Sequence, residues 1–496
     1  MTVSPRSDHD TEVTRLRAAL RRDPENAALH NDLANRLLAL GRNGEALTQY
    51  RTALRFAPAS AVLHFNLANA LAAAGQSDPA LDSYHRALAV APDFAAAHNN
   101  LGNLLRKLGR PLAATDAYRR AVYLTPADPA LRYNLGTALL DLDRATEALA
   151  FFEQATAADP PQVPGFASAG EALLRLGRRR EAEAAFRIAL ALRPDDQAAR
   201  MGAAVCRLAV GDFPAGWPGF EARLDNPFIR AGLPALPGQR LRPEDLGCVA
   251  GKHIVVMAEQ GFGDTIQFAR YAPLLRARGA RVTLLVPPAL VRLLEGVADV
   301  VLAADRRPAR WDFLCPMMSL PWVFGTTEET IPAAADLDGA AWPFPLPAGG
   351  RRLGLAWSGN PGHRLDAERS LPAAALAPLL AVPGWAFHAL HRDIRPDDLP
   401  LPDAIIGHEA ALTDFAVTAG LIAGLDLVIA VDTAVAHLAG AMAKPVWLLL
   451  AANADWRWQE RRADTPWYPT ARLYRQDGGG WPAVIARVAA DLADWR

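Results

Sequence analysis

At 496 residues, of which 51% are hydrophobic and 21% charged, the chain has length for roughly two to four domains with large cores and is not globally disordered. A net charge of −1 excludes a global basic field for nucleic acid or anionic lipid. Lys107, Lys252 and Lys444 are the only lysines, and Cys206, Cys248 and Cys315 show no metal or redox spacing, which suits a reducing cytoplasm.

Residues 1–10 are polar and predict no secretory signal. Beyond them Pro24, Pro58, Pro92, Pro126, Pro160 and Pro194 recur every 34 residues, the tetratricopeptide period. Small residues keep step (Ala34, Ala68, Gly102, Gly136, Gly170), as do aromatics (Tyr50, Tyr84, Tyr118, Phe152, Phe186). The fold class expected for residues 1–225 is therefore an all-α tetratricopeptide superhelix, its hairpins turning near Gly41, Gly75, Gly109 and Gly177. Five full repeats span 27–193, and a degenerate sixth near 197–224 is expected to cap the array.

First-helix residues of such hairpins line a concave face. Asn66, Asn100 and Asn134 form one column there, and Asn35, Asn69 and Asn103 another. An amide carries donors and an acceptor, so this ladder predicts binding of an extended protein acceptor through its backbone. The alternative is that the asparagines join neighbouring helices. A histidine column, His30, His64 and His98, reads as packing, because stacked repeats hold equivalent positions too far apart to share a zinc.

After a Pro- and Gly-containing join the pattern changes to strand–helix alternation, with strands expected at 253–258, 281–286 and 299–302 and helices from near Asp264 and Pro288. A Pro- and Ala-rich stretch, 331–350, separates a second set of strands near 352–357, 385–390, 427–431 and 445–450. Apolar strands alternating with helices predict two doubly wound parallel lobes, 226–340 and 341–496, with ligands at the carboxyl ends of the strands. The most apolar stretch, 421–452, is broken by Asp426, Asp432, His437 and Lys444, so no membrane span is expected.

Three segments fall at those strand ends. The first is Glu259-Gln260-Gly261-Phe262-Gly263-Asp264-Thr265, whose glycines permit close backbone approach to a ligand. Ile266 stands where a dinucleotide fingerprint needs its third glycine, which counts against a dehydrogenase. The second is Trp357-Ser358-Gly359-Asn360, followed by His363 and Arg369-Ser370. The third is Asp432-Thr433-Ala434-Val435-Ala436-His437, where Thr433 either caps a helix or shares its N–H groups with a diphosphate. Together the three predict phosphate or nucleotide binding.

These motifs carry a resemblance. Residues from about 253 to 494 look like the bacterial heptosyltransferase-like glycosyltransferases of the two-lobed GT-B type, through Gly261-Phe262-Gly263-Asp264, Arg369-Ser370-Leu371-Pro372 and the run from Val431 to Ala439. With its repeats the chain is similar to bacterial tetratricopeptide glycosyltransferases, including those that modify flagellin. The resemblance implies Asp264 as catalytic base and diphosphate contacts from Arg369, Thr433, Ala434 and His437, while the strand-end segments add Gly261, Gly263, Ser358, Asn360 and Asp432 as donor- or phosphate-binding candidates. Ala434 departs from the usual glycine, and Arg369 from the usual lysine.

The expected function is an inverting transfer from a nucleotide-sugar co-substrate to a protein acceptor, flagellin serine or threonine among the candidates. No Asp-x-Asp lies at a strand end, since Asp336-Leu337-Asp338 falls in the linker, so neither metal nor cofactor is expected. A polysaccharide or lipopolysaccharide glycosyltransferase and a non-catalytic repeat adaptor are the competing readings.

Overall fold

The computed structural model describes residues 5–347, 350–362, 366–477 and 479–495; His363 of the second motif lies outside the described residues. The chain forms two compact units, Met1–Leu192 and Arg193–Arg496.

The first unit is a helix, Pro5–Leu20, followed by five helix hairpins over 27–56, 61–90, 95–124, 129–156 and 164–192. Each 34-residue column has a physical task. Gly41, Gly75, Gly109 and Gly177 stand at φ between +71° and +75° and end the first helix of their hairpins; in the fourth repeat Asp143 takes that left-handed position at φ +58°. The rings of Tyr118, Phe152 and Phe186 occupy the space a Cβ would need on Gly102, Gly136 and Gly170, so the two helices of each hairpin close up there. The histidine column clasps the proline column. His30, His64 and His98 each place Nε2 2.8–2.9 Å from the carbonyl oxygen of Pro24, Pro58 or Pro92, tying the inter-repeat turn to the helix after it.

The expected cap departs from the sequence reading. Helices α1 (Gln197–Ala209) and α2 (Phe213–Phe220) do pair as a sixth hairpin, but they are part of the second unit. The compact boundary therefore falls after Leu192, ahead of the boundary expected at 225. The reason is aromatic: Trp217 packs edge-on against Trp456 at 5.4 Å between centroids, Phe213 lies 5.9 Å from Trp467, and the Trp217 indole donates to the Thr326 carbonyl at 2.8 Å.

The rest of the second unit holds two all-parallel sheets. The first contains β1 (Gln239–Arg240), β2 (His253–Met257), β3 (Arg281–Val286), β4 (Val300–Ala303) and β5 (Phe313–Pro316), in the order β1-β5-β2-β3-β4. The second contains β6 (Arg351–Ala356), β7 (Trp385–Ala389), β8 (Ile405–Ile406), β9 (Leu427–Val431), β10 (Val446–Leu450) and β11 (Ala471–Arg475), in the order β11-β10-β9-β6-β7-β8. Every residue of β9 and β10 is buried, as helices on both faces require. Strands β1, β5, β8 and β11 were not expected from the sequence. From Pro288 there is only a 3₁₀ turn, Pro288–Leu290, where a helix was expected. Helices α3 (Phe262–Phe268), α4 (Phe415–Ala423) and α5 (Ala434–Ala441) come after β2, β8 and β9 respectively.

Strand order sets where a ligand is received. In the first sheet the winding reverses beside β2, which lies between β5 and β3; in the second it reverses between β6 and β9. At such a reversal the loops leave toward opposite faces and open a crevice. All three sequence motifs leave β2, β6 and β9. Among the described residues, no helix is long and apolar enough to cross a membrane.

Candidate active site

The loop leaving β2 is anchored before it reaches the crevice. Glu259, with a fully buried side chain, accepts from Arg223 Nε at 2.9 Å and Nη2 at 2.8 Å, and from the Met318 N–H at 2.8 Å. Helix α3 then begins after Gly261, whose N–H donates to Asp264 Oδ2, three residues on, at 2.9 Å. Gly263 meets protein, where the sequence reading placed a ligand: a Cβ there would lie 2.6 Å from His437 Cδ2, so its absence lets α3 close on α5.

The second oxygen of Asp264 faces a residue that sequence reading missed. Asp264 Oδ1 pairs with Arg457 Nη2, while Arg457 Nε donates to Gln267 Oε1 at 2.7 Å and Nη1 to Asp455 Oδ1 at 2.8 Å. Asp264 and Gln267 lie one turn apart on α3, so one guanidinium edge spans both. The guanidinium is centred 4.6 Å from the Trp456 ring and 5.5 Å from that of Phe268. Burial pushes the Asp264 carboxyl up, with Asp455 and Glu259 adding to the rise and Arg457 opposing it. Burial also works against the Arg457 charge, but Asp455 and Asp264 outweigh it and hold that guanidinium above its ordinary range. The signal for Arg457 was available: Asp455-Trp456-Arg457-Trp458 comes shortly after the end of β10, the strand beside β9.

The second and third motifs meet through Arg369. Its Nη1 donates to the Asp432 carbonyl at 3.1 Å, and its guanidinium lies against Gly359, where a Cβ would be 2.5 Å away. Ser370 steadies the same loop, its Oγ accepting from the Gly359 N–H at 3.0 Å and donating to Asp366 Oδ1 at 3.0 Å. Ser358 is buried beside it, whereas Asn360 is exposed and closes a local turn by accepting from the Gly362 N–H at 2.9 Å.

At the end of β9, burial and the Asp455 charge push the Asp432 carboxyl up to about 6. His437 is buried, pairs through Nδ1 with the Tyr468 hydroxyl at 2.9 Å, and holds Nε2 3.8 Å from Asp432 Oδ1. Burial, reinforced by Arg457 and Arg270, keeps its imidazole well below the ordinary value and therefore neutral at pH 7. Thr433 heads α5 without capping it, and its Oγ1 is buried with no hydrogen-bond partner among the described residues. Ala434 is the first residue of that helix. A buried hydroxyl left open at a helix N-terminus, beside free N–H groups, is suited to an anionic oxygen.

In the first unit the asparagines already have work. Tyr50, Tyr84 and Tyr118 donate to Oδ1 of Asn35, Asn69 and Asn103 at 2.6–2.7 Å, within each hairpin. Asn66, Asn100 and Asn134 donate to Asn31, Asn69 and Asn99 of the preceding repeat at 2.8–2.9 Å. The columns thus join helices, the alternative to a peptide-binding ladder, and Asn35, Asn69 and Asn103 keep Nδ2 groups that these bonds do not use.

Residues 65–129, 123–163 and 168–216 match one tetratricopeptide repeat model, and 34–75 match a second. Residues 409–475 match glycosyltransferase family 9 (heptosyltransferase), so the chain carries tetratricopeptide repeats and a family 9 glycosyltransferase segment. That segment contains Asp432, Thr433, Ala434, His437, Asp455 and Arg457; Asp264, Ser358, Asn360 and Arg369 precede it. Protein FlbA of Caulobacter vibrioides is 26% identical over 343 residues, 61% of this chain and 56% of its own length. The chain therefore spans little more than half of that relative. Among solved structures, YrrB, described as a TPR protein with an unusual peptide-binding site, is 26% identical over 37% of this chain and 95% of its own, with a TM-score of 0.34. MamA from Desulfovibrio magneticus RS-1 is 23% identical over 34% of this chain and 97% of its own, with a TM-score of 0.33.

Proposed function

We propose that the chain is a cytoplasmic, metal-independent, inverting glycosyltransferase of the GT-B type that moves a sugar from a nucleotide-sugar donor to a protein recruited by its repeats. The supporting observation is the convergence at two strand-order reversals, where Arg369 bonds Asp432, Gly263 lies against His437, and Asp264 pairs with Arg457. In this reading the Asp264 carboxylate takes the proton of an acceptor hydroxyl. That oxygen bonds to the anomeric carbon, and the bond from that carbon to the donor phosphate breaks. Arg369, Thr433 and the N–H groups heading α5 hold the departing diphosphate. Neutral His437 contributes through packing and hydrogen bonding, without adding positive charge. Full-length protein mixed with UDP-, GDP-, dTDP- and CMP-sugars and a lysate of its own organism tests this. Nucleotide release coupled to a new glycan on a protein is the expected result, and no release from any donor would overturn the enzyme reading.

Thr433→Val isolates the phosphate contact. The hydroxyl has no partner among the described residues, so the variant should melt at the same temperature or slightly higher. Its affinity for a nucleoside diphosphate should fall by about 1–3 kcal/mol, the scale of one hydrogen bond to a charged group. Calorimetry finding unchanged affinity removes Thr433 from the site. Replacing His437 as well would confuse the result, because its ring fills the contact between Gly263 and Tyr468.

The heptosyltransferase description of the matching family favours a second reading, a saccharide acceptor. A fragment of residues 1–192 separates the two. It ends at the compact boundary and does not strip Trp217 and Arg223 of their partners, as a cut at 225 would. Binding of the modified protein by this fragment, without transfer, is expected. Retention of the acceptor by the second unit alone would favour the saccharide.

A further inference from the structure

We propose that Arg457 is a positioning residue that keeps the Asp264 carboxylate ionised and aimed into the crevice. The inference rests on the reading of Asp264 as the base. Geometry carries it. Asp264 is held at both oxygens, by its own helix cap at Oδ2 and by Arg457 at Oδ1, yet a fifth of its side chain stays exposed. A carboxylate has about four lone-pair sites, so two remain for a substrate hydroxyl.

Arg457 is itself held from every side. Gln267 accepts from its Nε and Asp455 from its Nη1, and Trp456 and Phe268 supply ring contacts. The segment behind it runs through two non-glycine residues at positive φ, Gln459 at +51° and Arg461 at +62°. Such conformations persist only where the surroundings enforce them.

The charges facing Asp264 give Arg457 its task. Asp455 and Glu259 both disfavour a second negative charge, as burial does; His437, packed on Gly263 from α5, is neutral and offers no compensation. Arg457 is the cation in contact with the carboxylate. Without it the buried carboxyl would retain its proton toward neutral pH and could not accept one from a hydroxyl.

The test uses full-length protein labelled with carbon-13 at its aspartate side-chain carboxyls, the Asp264 signal being identified by its loss in Asp264→Asn. In Arg457→Gln the titration midpoint of Asp264 should rise by about 1–3 pH units, the range for losing an adjacent opposite charge. Arg457→Lys, which keeps charge but loses the fork, should move it less. Asp455→Asn should move it the other way, and if Arg457→Gln does not fold, the rise in Arg457→Lys decides the matter. With a donor that supports transfer, turnover of Arg457→Gln should fall at neutral pH and recover on raising the pH, whereas a purely structural arginine would lower it equally at all pH. Midpoints that coincide in wild type and variants overturn the role of Arg457 even where Asp264→Asn is inactive. Shifted midpoints with normal transfer by Asp264→Asn overturn the base and leave the pairing intact.

Discussion

Asp264→Asn is expected to lower transfer by about 10²–10⁴-fold while leaving donor affinity nearly unchanged, the usual worth of a general base. Asn is a good test because it preserves nearly everything else. Its amide oxygen can still take either the Gly261 N–H or an Arg457 N–H. Arg457 would keep Gln267 and Asp455, so no bare buried cation is created. The variant should therefore fold, which a melting curve checks, and the loss should appear in turnover. Near-normal transfer would reduce Asp264 to a helix cap and ion-pair partner and leave the reaction without an assigned base.

Arg223→Met should cost the second unit about 3–5 kcal/mol, the largest stability effect expected from one substitution in this chain, because it strands a charge. The side chains of Arg223 and Glu259 are 1% and 0% exposed, and the arginine also serves Ser319, Glu221 and the Phe220 carbonyl. With Arg223 gone, Glu259 keeps the Met318 N–H and little else. Thermal unfolding should show a large drop in the transition of the second unit. Adding Glu259→Gln should recover part of it, since the stranded charge accounts for most of the loss. If α1, α2 and the turn after them merely capped the repeats, Arg223→Met would leave that transition unmoved.

The repeat unit was the most legible part of the chain. Its partners lie within one hairpin or the next, so each contact recurs at 34 residues: Tyr50 to Asn35, His64 to Pro58, Phe186 on Gly170. One period in the sequence is then one unit of packing. What the period did not reveal was the direction of each bond. Asparagines that look equally suited to a peptide and to one another accept from the tyrosine of their own hairpin or donate to an asparagine of the preceding repeat.

By itself the sequence determined the five repeats, the apolar runs that become β2, β3, β4, β6, β7, β9 and β10, and the three motifs that leave β2, β6 and β9, since helix periodicity, strand burial and glycine-rich turns are local signals. Only the tertiary structure decided which of those loops meet. That depended on strand order, which places β2 beside β5 and β6 beside β9, and on pairings with no period to betray them. Arg457 reaches Asp264 across 193 residues, and Arg223, inside a sixth repeat by its sequence, reaches Glu259 across 36. Buried charges choose partners by proximity in the folded core, where an unpaired ion is costly, and distance along the chain does not enter that choice.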